Sequence, residues 1–212
     1  MNYMMINGEK IEFTDEQVKK IKESVCGHAV NEDLSGDTER KRLSEVGAED
    51  TFNAGKLEFI KLEQVGDDVL CLMKDTYVDE ARFGDNNNFD GSNYDAICKK
   101  FEAELAEIIG TDNIVEHTVD LTSDDGLKDY GTVRRKVSGF TAELARRYVH
   151  ILDKYKLDKY WWLVTPHSTP SHENANWVKC ASPCGTVFNY GCRNHNVGVR
   201  PFCILKSNIF VS

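Results

Sequence analysis

Between residues 56 and 73 apolar and polar positions alternate on either side of Gly66-Asp67-Asp68, the two-residue period of a hairpin that buries one face. A different spacing takes over at residues 94–109, where Ile97, Phe101, Leu105 and Ile108 recur at threes and fours and Gly110 stands where a helix would stop. The same logic predicts a second helix over residues 141–152, with Leu144, Tyr148 and Ile151 as its apolar stripe. Arg146, Arg147 and His150 then belong to a solvated face, since long charged side chains routinely cover helix surface. Beyond Lys159 the pattern breaks into short strands and turns, predicted at residues 160–165, 177–181, 186–190 and 199–205. Near the start, residues 4–6 and 10–13 flank Asn7-Gly8, a pair that accepts the positive φ of a two-residue hairpin turn. Thr14 with Gln17 then fits a capping box, and Val18, Ile21 and Val25 continue at helical spacing.

Residues 27–53 are polar and interrupted by Gly27, Gly36 and Gly47, the texture of a connector. The expected organisation is a small N-terminal segment over residues 1–53 and a main domain over residues 54–212. Two strands, two helices and a cluster of short strands predict an α+β domain with its helices set apart from an antiparallel sheet.

The chain has 212 residues, 41% of them hydrophobic, with no low-complexity tract, so it can bury a core of its own. A formal net charge of -9 and a pI near 5.2 oppose binding to phosphate backbones or anionic lipid, which requires clustered cations. Nucleic acid is therefore not an expected partner. No stretch approaches the roughly 18 apolar residues of a membrane span, and residues 1–13 lack the charged start and apolar run of a secretory signal. Synthesis in the cytoplasm without a signal peptide is expected. The seven cysteines (Cys26, Cys71, Cys98, Cys180, Cys184, Cys192 and Cys203) are odd in number, which predicts mostly reduced thiols rather than a disulfide framework.

Two motifs in the last third carry a resemblance. Tyr160-Trp161-Trp162-Leu163-Val164-Thr165-Pro166 is followed, after about thirty residues, by Gly198-Val199-Arg200-Pro201-Phe202. With them go Phe83-Gly84-Asp85-Asn86-Asn87-Asn88-Phe89, Asp120-Leu121-Thr122-Ser123, Asp125-Gly126-Leu127-Lys128-Asp129-Tyr130-Gly131 and Leu152-Asp153-Lys154-Tyr155. Together they resemble a family of uncharacterised phage and gut-bacterial proteins similar to the C-type-lectin-like variable proteins of diversity-generating retroelements, whose fold is shared with formylglycine-generating enzymes. The resemblance implies that Trp161, Trp162, Gly198, Arg200 and Pro201 are scaffold and that residues 165–197 form a hypervariable ligand surface. It implies a non-enzymatic binder of a protein or glycan on a target surface, with no cofactor. An alternative in another class is a structural phage protein whose N-terminal segment docks it to a phage particle or cell-surface assembly.

Composition points the same way. Residues 180–196 contain no Lys, Glu, Gln, Met or Trp, types that supply 43 of the 212 residues; codons ending in C, the products of retroelement diversification at Asn codons, cannot encode any of the five. Phe188, Asn189, Tyr190, Arg193, Asn194, His195 and Asn196 mix aromatic area, planar hydrogen bonding and small adaptable side chains in the way paratopes do. His167, His172, Asn174 and Asn176 are the expected rim contacts.

Other chemistries fit less well. Cys180, Cys184, Cys192 and His195 lack the tight Cys-x2-Cys pairs of structural zinc sites. Cys180 and Cys184 are the nearest candidates for the reactive pair of a formylglycine-generating-enzyme-like oxidase, but only Lys179 supplies adjacent cationic charge. Asp124, Asp125 and Asp129 lack the dense oxygen alternation of a calcium loop. Ser168 and Ser171 lie between His167 and His172, yet adjacency alone does not build a nucleophile, base and orienting acid.

Overall fold

The computed structural model describes residues 2–6, 9–14 and 40–212. The chain divides into two units, Met1–Thr38 and Glu39–Ser212. In the smaller one, β1 (Asn2–Ile6) and β2 (Glu9–Phe13) pair antiparallel with Ile6 opposite Glu9. That register leaves two residues for the connection, as Asn7-Gly8 predicts. The helix expected from Thr14 to Val25 lies outside the described residues.

In the larger unit the elements are β3 (Lys41–Arg42), β4 (Thr51–Ala54), β5 (Leu57–Val65), β6 (Asp68–Met73), α1 (Asn93–Ile109), β7 (Ile114–Val115), β8 (His117–Asp120), β9 (Thr132–Arg135) and β10 (Val137–Ser138). Then follow α2 (Ala142–Arg147), α3 (Val149–Lys154), β11 (Trp161–Pro166), β12 (Trp177–Ala181), β13 (Val187–Gly191), β14 (Phe202–Lys206) and β15 (Phe210–Val211). The central sheet has the order β10-β14-β6-β5-β4, with β7 also on β14, while β11-β12-β13 form a separate three-stranded sheet. Two-stranded pairs β8-β9 and β15-β3 complete the β-structure among the described residues.

This overturns the α+β expectation. Strand residues outnumber helical ones among the described residues, and beside the single long helix α1 there are only the six-residue α2 and α3 and three short 3-10 turns. The helix predicted over residues 141–152 is in fact two, broken at Tyr148 with φ -102° and ψ 23°. Strands β3, β4, β7, β8, β9, β10 and β15 escaped prediction because two to four residues are too few for a two-residue period to show. The α1 and β5-β6 expectations agree with the structure: Ser92 caps α1 by accepting from the Asp95 N–H at 3.0 Å, and Gly110 ends it at φ 83°.

The larger unit begins well before residue 54. Leu43, Val46, Phe52 and Ala54 are buried in the main core, and Leu43 N–H donates to Ile209 O while Ser44 N–H donates to Ser207 O. Lys61, buried in β5, directs its ammonium at the carbonyls of Leu43 and Val46 (3.0 and 2.8 Å) and at Gln64 Oε1. Burial lowers its pKa, and these acceptors satisfy its donors, so a polar stretch is stitched onto the sheet by one buried cation.

Strand alternation sorts the interior into two cores on opposite faces. Phe59, Val69, Cys71, Cys203 and Leu205 enter the main core with Phe101 and Leu105 of α1. Ile60, Leu72 and Phe202 enter the second core with Ala145, Ile151 and Leu152 of the short helices. Trp161 and Trp162 split between them: Trp162 packs in the main core and Trp161 in the second, both fully buried.

Candidate functional site

The Gly198-Val199-Arg200-Pro201 segment threads between β11 and residues 76–81. Trp162 N–H donates to Gly198 O, Gly198 N–H to Tyr160 O, Tyr77 N–H to Val199 O and Ala81 N–H to Val197 O. A Cβ on Gly198 would come within 2.5 Å of Thr76 Cγ2, so any larger residue would force Thr76 to shift. Arg200 is 1% exposed. Its Nε donates to Met73 O at 2.8 Å and an Nη to Lys74 O at 2.6 Å, and its guanidinium lies 5.3 Å from the Trp161 ring centroid. Burial holds its pKa down to about 10. These residues are scaffold: they tie β11 to residues 73–81.

On that scaffold β12 and β13 form a hairpin whose register puts Trp177 opposite Gly191, Lys179 opposite Asn189 and Cys180 opposite Phe188. Val178 and Cys180 point into the main core, and Phe188 and Tyr190 pack against its edge. Phe188 stands edge-on to Tyr160 at 5.1 Å, and Tyr190 lies 6.0 Å from Trp162. The opposite face carries Trp177, Lys179 and Ala181. Lys179 is buried and pairs with Asp124 at 2.6 Å, which Arg146 also meets at 2.8 Å. Desolvation works against the Asp124 carboxylate, but Arg146 and Lys179 together hold its pKa below the ordinary value.

Trp177 is the exception on this face, 47% exposed at the start of β12. Opposite it Gly191 offers no side chain. The gap becomes a cleft of about 270 Å³ lined by Asn176, Trp177, Gly191, Cys192, Arg193 and Asn194. Arg193 Nε donates to Asp85 O at 3.1 Å, which fixes the guanidinium base and leaves its terminal nitrogens without a partner among the described residues. The side-chain amides of Asn176 and Asn194 likewise have none there.

Three loops are bound together beneath this rim. Asn87, fully buried, donates its amide to Ser168 O at 2.9 Å and Trp177 O at 2.7 Å and accepts from Tyr130 Oη at 2.8 Å. Asp125 accepts from Ser123 Oγ and from Ser168 Oγ at 2.6 Å, and His172 Nδ1 lies 3.2 Å from the carboxylate oxygen that Ser168 engages. The Ser123 and Ser168 hydroxyls, with His172, hold the Asp125 pKa far below the carboxylate range. Asp129 accepts from the Ser171 N–H and Oγ. An acid thus does stand beside Ser168 and His172, but the hydroxyl is bonded to the carboxylate itself. A proton relay would place the imidazole between the two.

The eleven residues expected to bind therefore separate. Asn176, Arg193 and Asn194 line the cleft, and His195 and Asn196 are exposed on the loop that follows. Phe188 and Tyr190 are half-buried packing, with Tyr190 Oη donating to Asn196 Oδ1 at 3.3 Å. Asn189 lies beside Lys179 with its Oδ1 buried and unpartnered among the described residues. His172 and Asn174 serve the loop ties, Asn174 Oδ1 accepting from Asn176 N–H at 3.4 Å. His167 N–H donates to Trp177 O, across the seam of β11 and β12. Trp177 is the residue that sequence reasoning missed. A signal was present, since alternation from Val178 and Cys180 places it on the face of Lys179, away from the core.

Among the described residues every cysteine is a free thiol. Burial pushes the Cys180 thiol up to about 12 and raises Cys192. Cys184 is exposed in the β12-β13 turn, where the Ser182 hydroxyl at 3.3 Å, helped by Thr186, lowers its pKa. Among the described residues no group of three or more His, Cys, Asp or Glu converges as a metal site, and no helix is long and apolar enough to cross a membrane. No family model, curated protein or solved structure matches the chain.

Proposed function

We propose that this protein is a non-enzymatic binder that recognises a target surface through the open end of the β11-β12-β13 sheet, as the variable proteins it resembles do. The observation that carries this reading is the cleft beside Trp177. A large aromatic is left half in water, next to amides and a guanidinium with unused hydrogen-bonding capacity, on a hairpin whose other face is packed into the core. Leaving so much apolar area exposed runs against the burial that drives folding, and Trp and Arg are the side chains that most often anchor recognition. The backbone there is fixed by Asn87 and by the Gly198–Pro201 scaffold, so side chains can vary while the frame stays put.

The test replaces Asn176, Arg193, Asn194 and His195 together by Ser and compares labelled wild-type and variant protein on a panel of bacterial cell surfaces. Binding by the wild type and its loss in a variant that melts within a few degrees of wild type is the expected result. Equal binding by both proteins would move the ligand site elsewhere. The separate Met1–Thr38 unit, with its own hairpin, favours a second role beside binding, attachment of the protein to a larger phage or cell-surface structure.

A further inference from the structure

The cleft also constrains its ligand, and the argument rests on the binding reading above. Its volume, about 270 Å³, falls just under the range of sites that enclose drug-sized molecules. It accommodates one or two small rings rather than a protein segment, whose interface needs about 800 Å² from each partner. One wall is the exposed Trp177. The remaining polar wall consists of the Asn176 and Asn194 amides, each with two donors and an acceptor, and the free end of Arg193, a donor fork. No carboxylate lines it. Asp85 is engaged by Arg82 at 3.0 Å and lends its backbone carbonyl to Arg193.

We propose that this cleft binds a single pyranose ring of a neutral glycan. A pyranose has an apolar face of C–H groups, which packs on an indole, and a girdle of hydroxyls, each both donor and acceptor. Planar amides and a guanidinium complement such hydroxyls, because they offer fixed donors and acceptors in pairs. A lone guanidinium in a chain of net charge -9 disfavours a polyanion, whose attraction grows with the number of clustered cations. An amide-rich cleft is equally poor for a purely apolar ligand, which would strand those groups without water.

The three tryptophans make the test direct. Trp161 and Trp162 are fully buried, so quenching of tryptophan emission by acrylamide reports Trp177. The methyl glycosides of glucose, galactose, mannose and N-acetylglucosamine are titrated up to about 100 mM, with ligand-observed NMR saturation transfer as the second readout. The expected result is saturable protection of Trp177 by at least one of them with a dissociation constant on the order of millimolar. Trp177→Ala should weaken binding at least tenfold at an unchanged melting temperature, Trp177→Phe should retain most of it, and Asn194→Ala should weaken it several-fold. No saturation by any of the four, or equal binding by Trp177→Ala, overturns the proposal. Periodate treatment of the target cells separates this failure from that of the binding reading. If wild-type binding survives destruction of the vicinal diols and is still lost in the four-residue variant, the surface is a binder of something other than a sugar. If the variant binds as wild type, both readings fall.

Discussion

Asn87 is the residue on which the shape of the site most depends. Its side chain joins residue 168 after β11, the first residue of β12 and the Tyr130 loop, from a position with no solvent access. Asn87→Ala removes all three bonds at once. Trp177 O keeps a second donor, the His167 N–H at 3.0 Å, so its loss is partial. Ser168 O and Tyr130 Oη lose the amide that pairs them. A buried polar group left unsatisfied costs about 1–3 kcal/mol, and a satisfied one contributes roughly 1 kcal/mol net. The sum for this site is about 2–4 kcal/mol, or about 5–15 °C in melting temperature for a unit of this size. Asn87→Asp sharpens the test, because it conserves shape but turns a carboxylate toward two carbonyl oxygens. Burial and those oxygens raise the pKa of the new acid in the folded state, so the variant should be least stable above that raised value and recover as pH falls through it. The measurement is thermal melting by circular dichroism across pH 4–8 for wild type and both variants. An Asn87→Ala protein melting within about 1 °C of wild type, or an Asn87→Asp protein no worse at pH 8 than at pH 5, would refute the clamp.

Trp161→Ala and Trp162→Ala should each cost about 3–5 kcal/mol in chemical denaturation. The milder Phe replacements should differ, since Trp162 Nε1 donates to Ala81 O at 2.7 Å whereas Trp161 Nε1 has no partner among the described residues; Trp162→Phe should be worse by about 1 kcal/mol. Gly198→Ala should destabilise through the Thr76 methyl, and Thr76→Ser, which removes that methyl and keeps the hydroxyl bonded to Asp79, should restore part of the loss. Failure of the double variant to recover would place the clash elsewhere. Because the Ser123 and Ser168 hydroxyls depress the Asp125 pKa, its stabilisation is complete above the ordinary carboxylate pKa of about 4 and fades as pH falls below it. Asp125→Asn should therefore be less stable than wild type at pH 7, with the difference shrinking toward pH 2; a constant difference would contradict the linkage.

What the chain declares locally can be read without coordinates. The threes and fours of Ile97, Phe101 and Leu105, the alternation on both sides of Gly66, and Asn7-Gly8 between two short runs each encode an element whose signal lies within a few residues of itself. Adjacent Trp161 and Trp162 had to face opposite sides because a strand alternates. Which residues meet across long separations was decided by the tertiary structure. Lys61 reaches back to residues 43–46 and recruits a stretch whose polarity reads as a connector. Tyr148 interrupts the helix predicted over 141–152 although it keeps the apolar stripe intact, a break that periodicity cannot register. Phe188 and Tyr190 carry the composition of a recognition loop, yet pairing with Cys180 and Val178 turns them against the core, while the same hairpin leaves Trp177 outside, opposite a glycine. Composition sets what a side chain can do; strand register sets which face it occupies, and register depends on partners that lie far away in the chain.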